Sequence, residues 1–454
     1  MIGAPLFCVL AGIAAAPLEL SEVLDSTVRH HPTILGALAD SDGADAEALA
    51  ARGAFDPQLR ARAAAVPYSG YPNGRVDAWV DVPTPLWGTS LWAGYRLGAG
   101  SFPLYYGERA TDAHGELRAG LSVPLLRNGP TDRRRASIER AELGRRVAEL
   151  GVEQQRLELK RQAALRWVRW VAAGERRALA RTLLDLAQAR QQQLQERART
   201  GDLPSIDALD NRRAIVQRES LLVAAQRSLE EATYELSLFL RDANGAPVEV
   251  PADRLPAGLG APSDADAPPS LDEALARRPD VARLEAQREQ ARVELSLQRN
   301  QALPALDVSA LVSKDFGPSD EPKRSVPEVE LFVSLEVPLW YRQIVGRIDA
   351  ASAAERKVEL QLQLQRERVR VEVKDALSAS RAAVERARLM RQEVELARSL
   401  EAGERRRLEL GDSTLFLLNL RETSTFESAL REVDARADWH RAAADLSAAL
   451  AMPL

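Results

Sequence analysis

The sequence predicts a mostly α-helical chain with a smaller share of β-strand, laid out as a tandem duplicate of helix, strands and two very long helices. Three observations carry this. VPLL at 123–126 recurs as VPLW at 337–340, each time leading into long helix-forming sequence. Gly201-Asp202 recurs as Gly411-Asp412, and Leu240 as Leu450. The stretches 136–200 and 347–410 contain no Pro and little Gly, so each reads as one helix roughly 100 Å long. Helices of that length need a lateral partner along their course.

The elements follow in order along the 454 residues. Residues 1–16 are expected to be a signal peptide, because IGAPLFCVLAGIAAA is apolar and ends in small residues. The segment lacks a basic start, and Pro17 disfavours cleavage directly after Ala16; the competing reading is an apolar arm packed on a core. Cys8, the single cysteine, lies in this segment without the Leu-small-small pattern of a lipoprotein. A cleaved chain has no thiol, which excludes disulfides and cysteine-based metal or nucleophile chemistry.

The first repeat spans 17–245. It holds a short helix ending at His31-Pro32, strands at 55–66, 75–97 and 116–123, and long helices at 136–200 and 204–241. Residues 246–269, rich in Pro, Gly and Asp, read as a linker. The second repeat, 270–454, opens alike at Arg278-Pro279, with strands at 303–312 and 328–337 and long helices at 347–410 and 413–451. VELQLQLQRERVRVEV at 358–373 alternates with period two, a strand pattern. It is assigned to helix, because no turn residues bound it and its counterpart in the first copy does not alternate.

Each strand has two faces. In EVELFVSLEV, Val329, Leu331, Val333, Leu335 and Val337 oppose Glu328, Glu330, Ser334 and Glu336. ELRAGLSV sets Leu117, Ala119, Leu121 and Val123 against Glu116, Arg118 and Ser122. Such segments fit a transmembrane β-strand lining a wet lumen, and also a soluble sheet with one solvated face, which is far commoner. The helices are too long to lie across such strands, so they are expected to project from the sheet. Pro124 and Pro338 mark the strand-to-helix joints, since Pro has no N–H for the ladder. Trp340 and Tyr341 fall where sheet meets helix, a level that suits a membrane interface or packing at the joint. Four strands cannot close a barrel, which needs about eight, so several chains must contribute. Residues 67–115 exceed their counterpart in the second repeat and hold VDAWVDV and LWAGYRL. They read as a hairpin that extends the wall or as an external loop.

The paired joints (123–141 and 337–351), the paired Gly tips and the two-copy layout together resemble the TolC-type outer-membrane efflux proteins over essentially the whole chain after residue 17. The resemblance implies a homotrimer with a twelve-stranded barrel in outer-membrane lipid and an α-helical tunnel through the periplasm of a Gram-negative bacterium. It implies a passive exit duct of a tripartite efflux pump or type I secretion system. Its partners would be a periplasmic adaptor (membrane fusion protein) and an inner-membrane RND or ABC-type transporter. Gly201, Ser205, Asp207 and Leu209, with Gly411, Thr414 and Leu418, match the family's adaptor-docking tips. Some members close with carboxylates six and nine residues beyond the second tip Gly; here those positions are Leu417 and Leu420. Asp207 and Asp210 hold that spacing in the first copy. The periplasmic constriction is therefore expected at the acids or at the leucines.

No cofactor is expected. His30, His31, His114 and His440 lack a second ligand at metal spacing, and no G-x-S-x-G, H-E-x-x-H or P-loop occurs. Net charge of −5 favours no nucleic acid. RWVRW at 166–170 puts two Trp on one helix face, as core between helices. The rival to the duct is a periplasmic coiled-coil scaffold or adaptor-like protein without a pore; an enzyme lacks any candidate constellation.

Overall fold

The computed structural model describes residues 16–103, 110–200, 204–262, 270–318 and 326–453. Helices α1 (Leu20–His30) and α2 (Pro32–Arg52) precede strands β1 (Gln58–Val66), β2 (Asn73–Pro83), β3 (Ser90–Gly100) and β4 (Glu116–Pro124). Then come α3 (Arg133–Thr200) and α4 (Ser205–Ser237). The second half repeats the order with α5 (Leu271–Arg277), α6 (Pro279–Gln301), β5 (Ala305–Asp315), β6 (Glu328–Glu336), α7 (Arg342–Glu409) and α8 (Leu415–Ala449). Each of α3 and α7 is one unbroken helix of 68 residues.

Compactness divides the chain differently from the repeat. One unit takes the residues up to Leu38 with Val152–Pro279 and Arg366–Leu454; the other takes Ala39–Gly151 and Asp280–Gln365. Each draws on both halves of the sequence.

The second of these units carries all six strands in one antiparallel sheet, ordered β1-β2-β3-β4-β5-β6. The resemblance implied four strands per chain. The other two are the hairpin over 73–100, inserted between β1 and β4 and paired to both. Its register leaves no slack: Ala63 faces Val76, Val76 faces Leu97, and Tyr95 faces Leu117.

The first unit is held by a core around Trp170, Val171, Leu229, Leu236 and Val433, closed by Leu18 and Ile34. Trp170 is 1 % exposed and donates from Nε1 to Thr233 Oγ1, while Trp167 donates to the Leu18 carbonyl. Both tryptophans thus satisfy their N–H while burying their rings. The described part of the 246–269 segment also packs, through buried Val250 and Leu259.

Helix α7 buries a narrow stripe. Leu362, Val369, Ala376 and Ala383 recur every seventh residue, with Val373 and Ala387 interleaved. This is the 3.5-residue seam of a coiled coil. Leu360, Leu364, Val371, Leu389, Leu396 and Leu400 form a second apolar stripe that stays exposed. The apparent period two of 358–373 arises here. A buried series (Leu362, Val369, Val373, preceded by half-buried Val358) interleaves with an exposed one (Leu360, Leu364, Val371) on the far side of the same helix.

Candidate functional site: a two-faced sheet, two joints and two helix tips

Alternation along each strand sends every second side chain to one face, and the register aligns these sets across all six strands. One face is apolar apart from Lys314, which stands opposite Leu117 near one end. It carries Leu59, Val76 and Val80, Leu91 and Leu97, Leu117 and Leu121, Val308 and Val312, and Val329 to Leu335. These side chains stand open, Leu331 at 75 %. The opposite face carries a charged ladder that is well covered on β2, β3 and β4 and open on the edge strands β1 and β6. Asp77 accepts from Arg96 at 2.7 Å and pairs with Arg75 at 2.9 Å; Arg96 reaches Glu116 at 3.6 Å, and Arg118 reaches it at 3.5 Å. The side chains of Asp77 and Arg96 are each only 15 % exposed. A soluble sheet shows the reverse, with its apolar face covered and its charges in water. Strands of 9 or 11 residues match a hydrocarbon core crossed at a tilt of about 45°.

Aromatic side chains collect at both strand ends. Tyr68, Tyr71 and Phe316 lie beyond one end, and Trp87, Trp340 and Tyr341 at the other; all are exposed.

The two joints differ. At the first, Pro124 is buried, and the chain is sewn to the α6–β5 connection. Leu125 N–H donates to Leu306 O, Asn128 N–H to Asn300 Oδ1, and Gln301 Nε2 to Asn128 Oδ1. Asp132 then caps α3, accepting from the backbone N–H of Arg134 and Arg135 at 2.7 and 3.0 Å. Arg135 folds back onto the carbonyls of Asn128 and Gly129. At the second joint, Pro338 is half-buried and Tyr341 exposed, while Trp340 is 77 % exposed. Arg127 ties across to it through Glu336 at 2.9 Å. The sequence placed both prolines at these turns. It did not single out Asp132, and Arg133-Arg134-Arg135 reads there as a solvated or periplasm-facing basic run at a helix start, whereas Arg135 is bound to Asp132 and the loop carbonyls.

At the tips, Gly201 lies outside the described residues. The second tip is a Schellman ending: Gly411 has φ +81°, its N–H reaches Leu408 O, and Asp412 N–H reaches Arg407 O. Thr414 caps α8, accepting from Leu417 N–H at 3.4 Å. At the first tip, Ser205 is exposed at the start of α4, where Pro204 holds the cap position, and Asp207 N–H bonds Pro204 O. Leu209 and Ile206 are exposed and share a shallow cleft with Asp207, Asp210 and Phe416 of α8. Asp210 lies 3.7 Å from Arg213. Leu417 and Leu420 are exposed but stand outside that cleft's lining. The acids and the leucines thus do not form one cluster within this chain. Leu418 is buried, so it shapes the tip from within and presents no surface.

Behind the tips sits a charged core. Glu422, 2 % exposed, accepts from Arg190 and from Arg218, the latter at 3.0 Å. Arg218 also donates to Leu183 O, and Arg190 to Asn419 Oδ1. These bonds tie α3 and α4 to α8. Glu175, Arg436 and Glu432 form a second such cluster, which also holds the backbone at Leu259. Beside it, His440 faces Gly260 O at 3.2 Å, and burial lowers its pKa below the ordinary histidine value.

Residues 270–452 match the family model described as outer membrane efflux protein, beginning where the linker ends. No curated protein matches the chain in sequence. Among solved structures, a membrane protein from Pseudomonas aeruginosa superposes with TM-score 0.68 and 16 % identity, covering 96 % of this chain and 90 % of that one. The Campylobacter jejuni CmeC outer membrane channel gives 0.67 at 13 % identity, over 95 % and 85 %. The open state of the Neisseria gonorrhoeae MtrE outer membrane channel gives 0.67 at 18 %, over 95 % and 89 %. At such identities the likeness is one of fold.

Proposed function

From a chain whose residues 270–452 match the outer membrane efflux protein family, and whose whole length takes the fold of TolC-type outer-membrane channels, we propose a passive exit duct. Three copies join their sheets into a barrel in the outer membrane and their helices into a tube across the periplasm. The observation that carries this reading is the sheet itself: an open apolar face backs a covered ladder of Asp77, Arg96 and Glu116. Lipid satisfies the first face and a wet lumen the second. The exposed second stripe of α7 gives neighbouring copies a place to pack.

The tip residues Ser205, Asp207, Leu209, Gly411 and Thr414, with Gly201, are the proposed docking surface for a periplasmic adaptor. Leu418 supports them from beneath. The transporter served is of the RND or ABC type, in an efflux pump or a type I secretion system. Leu417 and Leu420, being exposed, are the proposed apolar constriction, closing by dewetting; Asp207 and Asp210 are the alternative.

Fractionation tests the reading. The protein should partition with outer membranes, require detergent, migrate as a heat-modifiable trimer and conduct ions in planar bilayers. A protein released without detergent as a monomer would instead be the coiled-coil scaffold.

A further inference from the structure

We propose that the β2–β3 hairpin is an integral part of the membrane wall, so that the assembled duct closes with eighteen strands rather than the twelve the resemblance implied. This rests on the trimeric channel reading. Three copies of a six-stranded sheet supply eighteen strands. The even number per chain sets β6 of one copy antiparallel to β1 of the next. Both edge strands are exposed along their whole length.

The hairpin carries every mark of the wall. Its strands have 11 residues each, the length of β5. Its apolar set, Val76, Ala78 and Val80 opposite Leu97, Tyr95 and Ala93, continues the open face. Its charged set is the centre of the ladder, because Asp77 and Arg96 link β2 and β3 to Glu116 of β4. Its turn is fixed at the first joint. The Trp87 ring lies over Gly129, where an added Cβ would come within 2.8 Å of the indole nitrogen, and Gly88 packs against Asn128 O.

Dimensions accommodate the larger number. Four helices of the strand-bearing unit (α2, α3, α6 and α7) lead into or out of the sheet. Twelve helices spaced about 10 Å apart form a ring of roughly 120 Å circumference. Eighteen strands about 4.8 Å apart and tilted about 40° give roughly 113 Å, whereas twelve give roughly 75 Å. With eighteen, the wall meets the helical tube without a pinch. The outer mouth then falls in the size class of barrels that leave an open aqueous channel. Its lining bears both signs of charge, so it would pass bulky hydrated solutes of either sign and leave selection to the tips.

The test is an inter-copy distance in the detergent-purified trimer. A spin label on Ser309→Cys in a Cys8→Ser background, with Ser334→Cys as an independent second site, reports the barrel radius. Eighteen strands predict a label separation of about 30 Å and twelve about 20 Å. A distance near 20 Å at both sites overturns the enlarged wall and leaves the trimeric channel standing. A monomer with no inter-copy distance overturns both.

Discussion

Glu422 of α8 accepts a hydrogen bond from Arg218 of α4 at 3.0 Å, with both side chains almost completely sealed from water. Arg190 of α3 binds the other carboxylate oxygen. A buried carboxylate hydrogen-bonded by two guanidinium groups, with that of Arg405 at 3.9 Å, is stable only as a complete set. Glu422→Gln leaves two cations without their anion and should cost about 3 kcal/mol or more, read as a lower denaturation midpoint. Replacing all three by apolar residues of similar volume should recover most of that. An unshifted midpoint in Glu422→Gln would show that water reaches the cluster.

The proposed apolar constriction has a direct electrical test. Replacing Leu417 and Leu420 together with Ser should raise single-channel conductance and shorten closed times, because a wetted ring no longer excludes water. Replacing Asp207 and Asp210 with Asn should leave the conductance at rest nearly unchanged. The opposite ranking would move the constriction to the acids.

Gly88 adopts φ +67°, and an added Cβ would stand 2.4 Å from the Asn128 carbonyl oxygen. Gly88→Ala therefore combines left-handed strain, about 1 kcal/mol or more, with a backbone collision at the first joint. Less heat-modifiable trimer should form at equal expression. Gly36→Ala, where open space surrounds the new methyl group, is the matched control.

His440 and His31 both have pKa values lowered below the ordinary value, burial being the larger cause in each. For His440, Arg436 adds to that shift, while Gly260 O and Glu175 oppose it. A depressed folded pKa means that the unfolding chain takes up a proton. The stabilisation is full above about pH 6.5 and is lost as pH falls towards the folded values. The melting temperature should drop between about pH 7 and 5, and His440→Gln should flatten that slope. An identical slope in the variant would assign the effect elsewhere.

The long helices and the joints were legible in the sequence because their signals are local: a Pro-free run, a Pro ending a ladder, a Gly at a helix end. The extra hairpin was legible as a hairpin, through the turn residues around VDAWVDV and LWAGYRL. Its place between β1 and β4 was not, since strand order depends on partners and not on the strand's own pattern. Glu422 was invisible for a related reason. The two arginines that hydrogen-bond it lie 204 and 232 residues away, and nothing in the local sequence marks Glu422 as buried. The docking and constriction roles of the tip residues came from resemblance alone. Burial then separates Leu418 from Leu417 and Leu420, a distinction that spacing does not make when both sides of a helix are apolar.

The uncovered second stripe of α7 has a bearing on biogenesis. Given the proposed trimeric assembly, a lone copy would present a long greasy seam and two unsatisfied sheet margins at once. Such a species would aggregate unless it met its siblings quickly. Its lifetime should therefore depend on how many copies are made. Variants that fold but cannot find one another should be cleared by proteolysis, not accumulate as idle single chains.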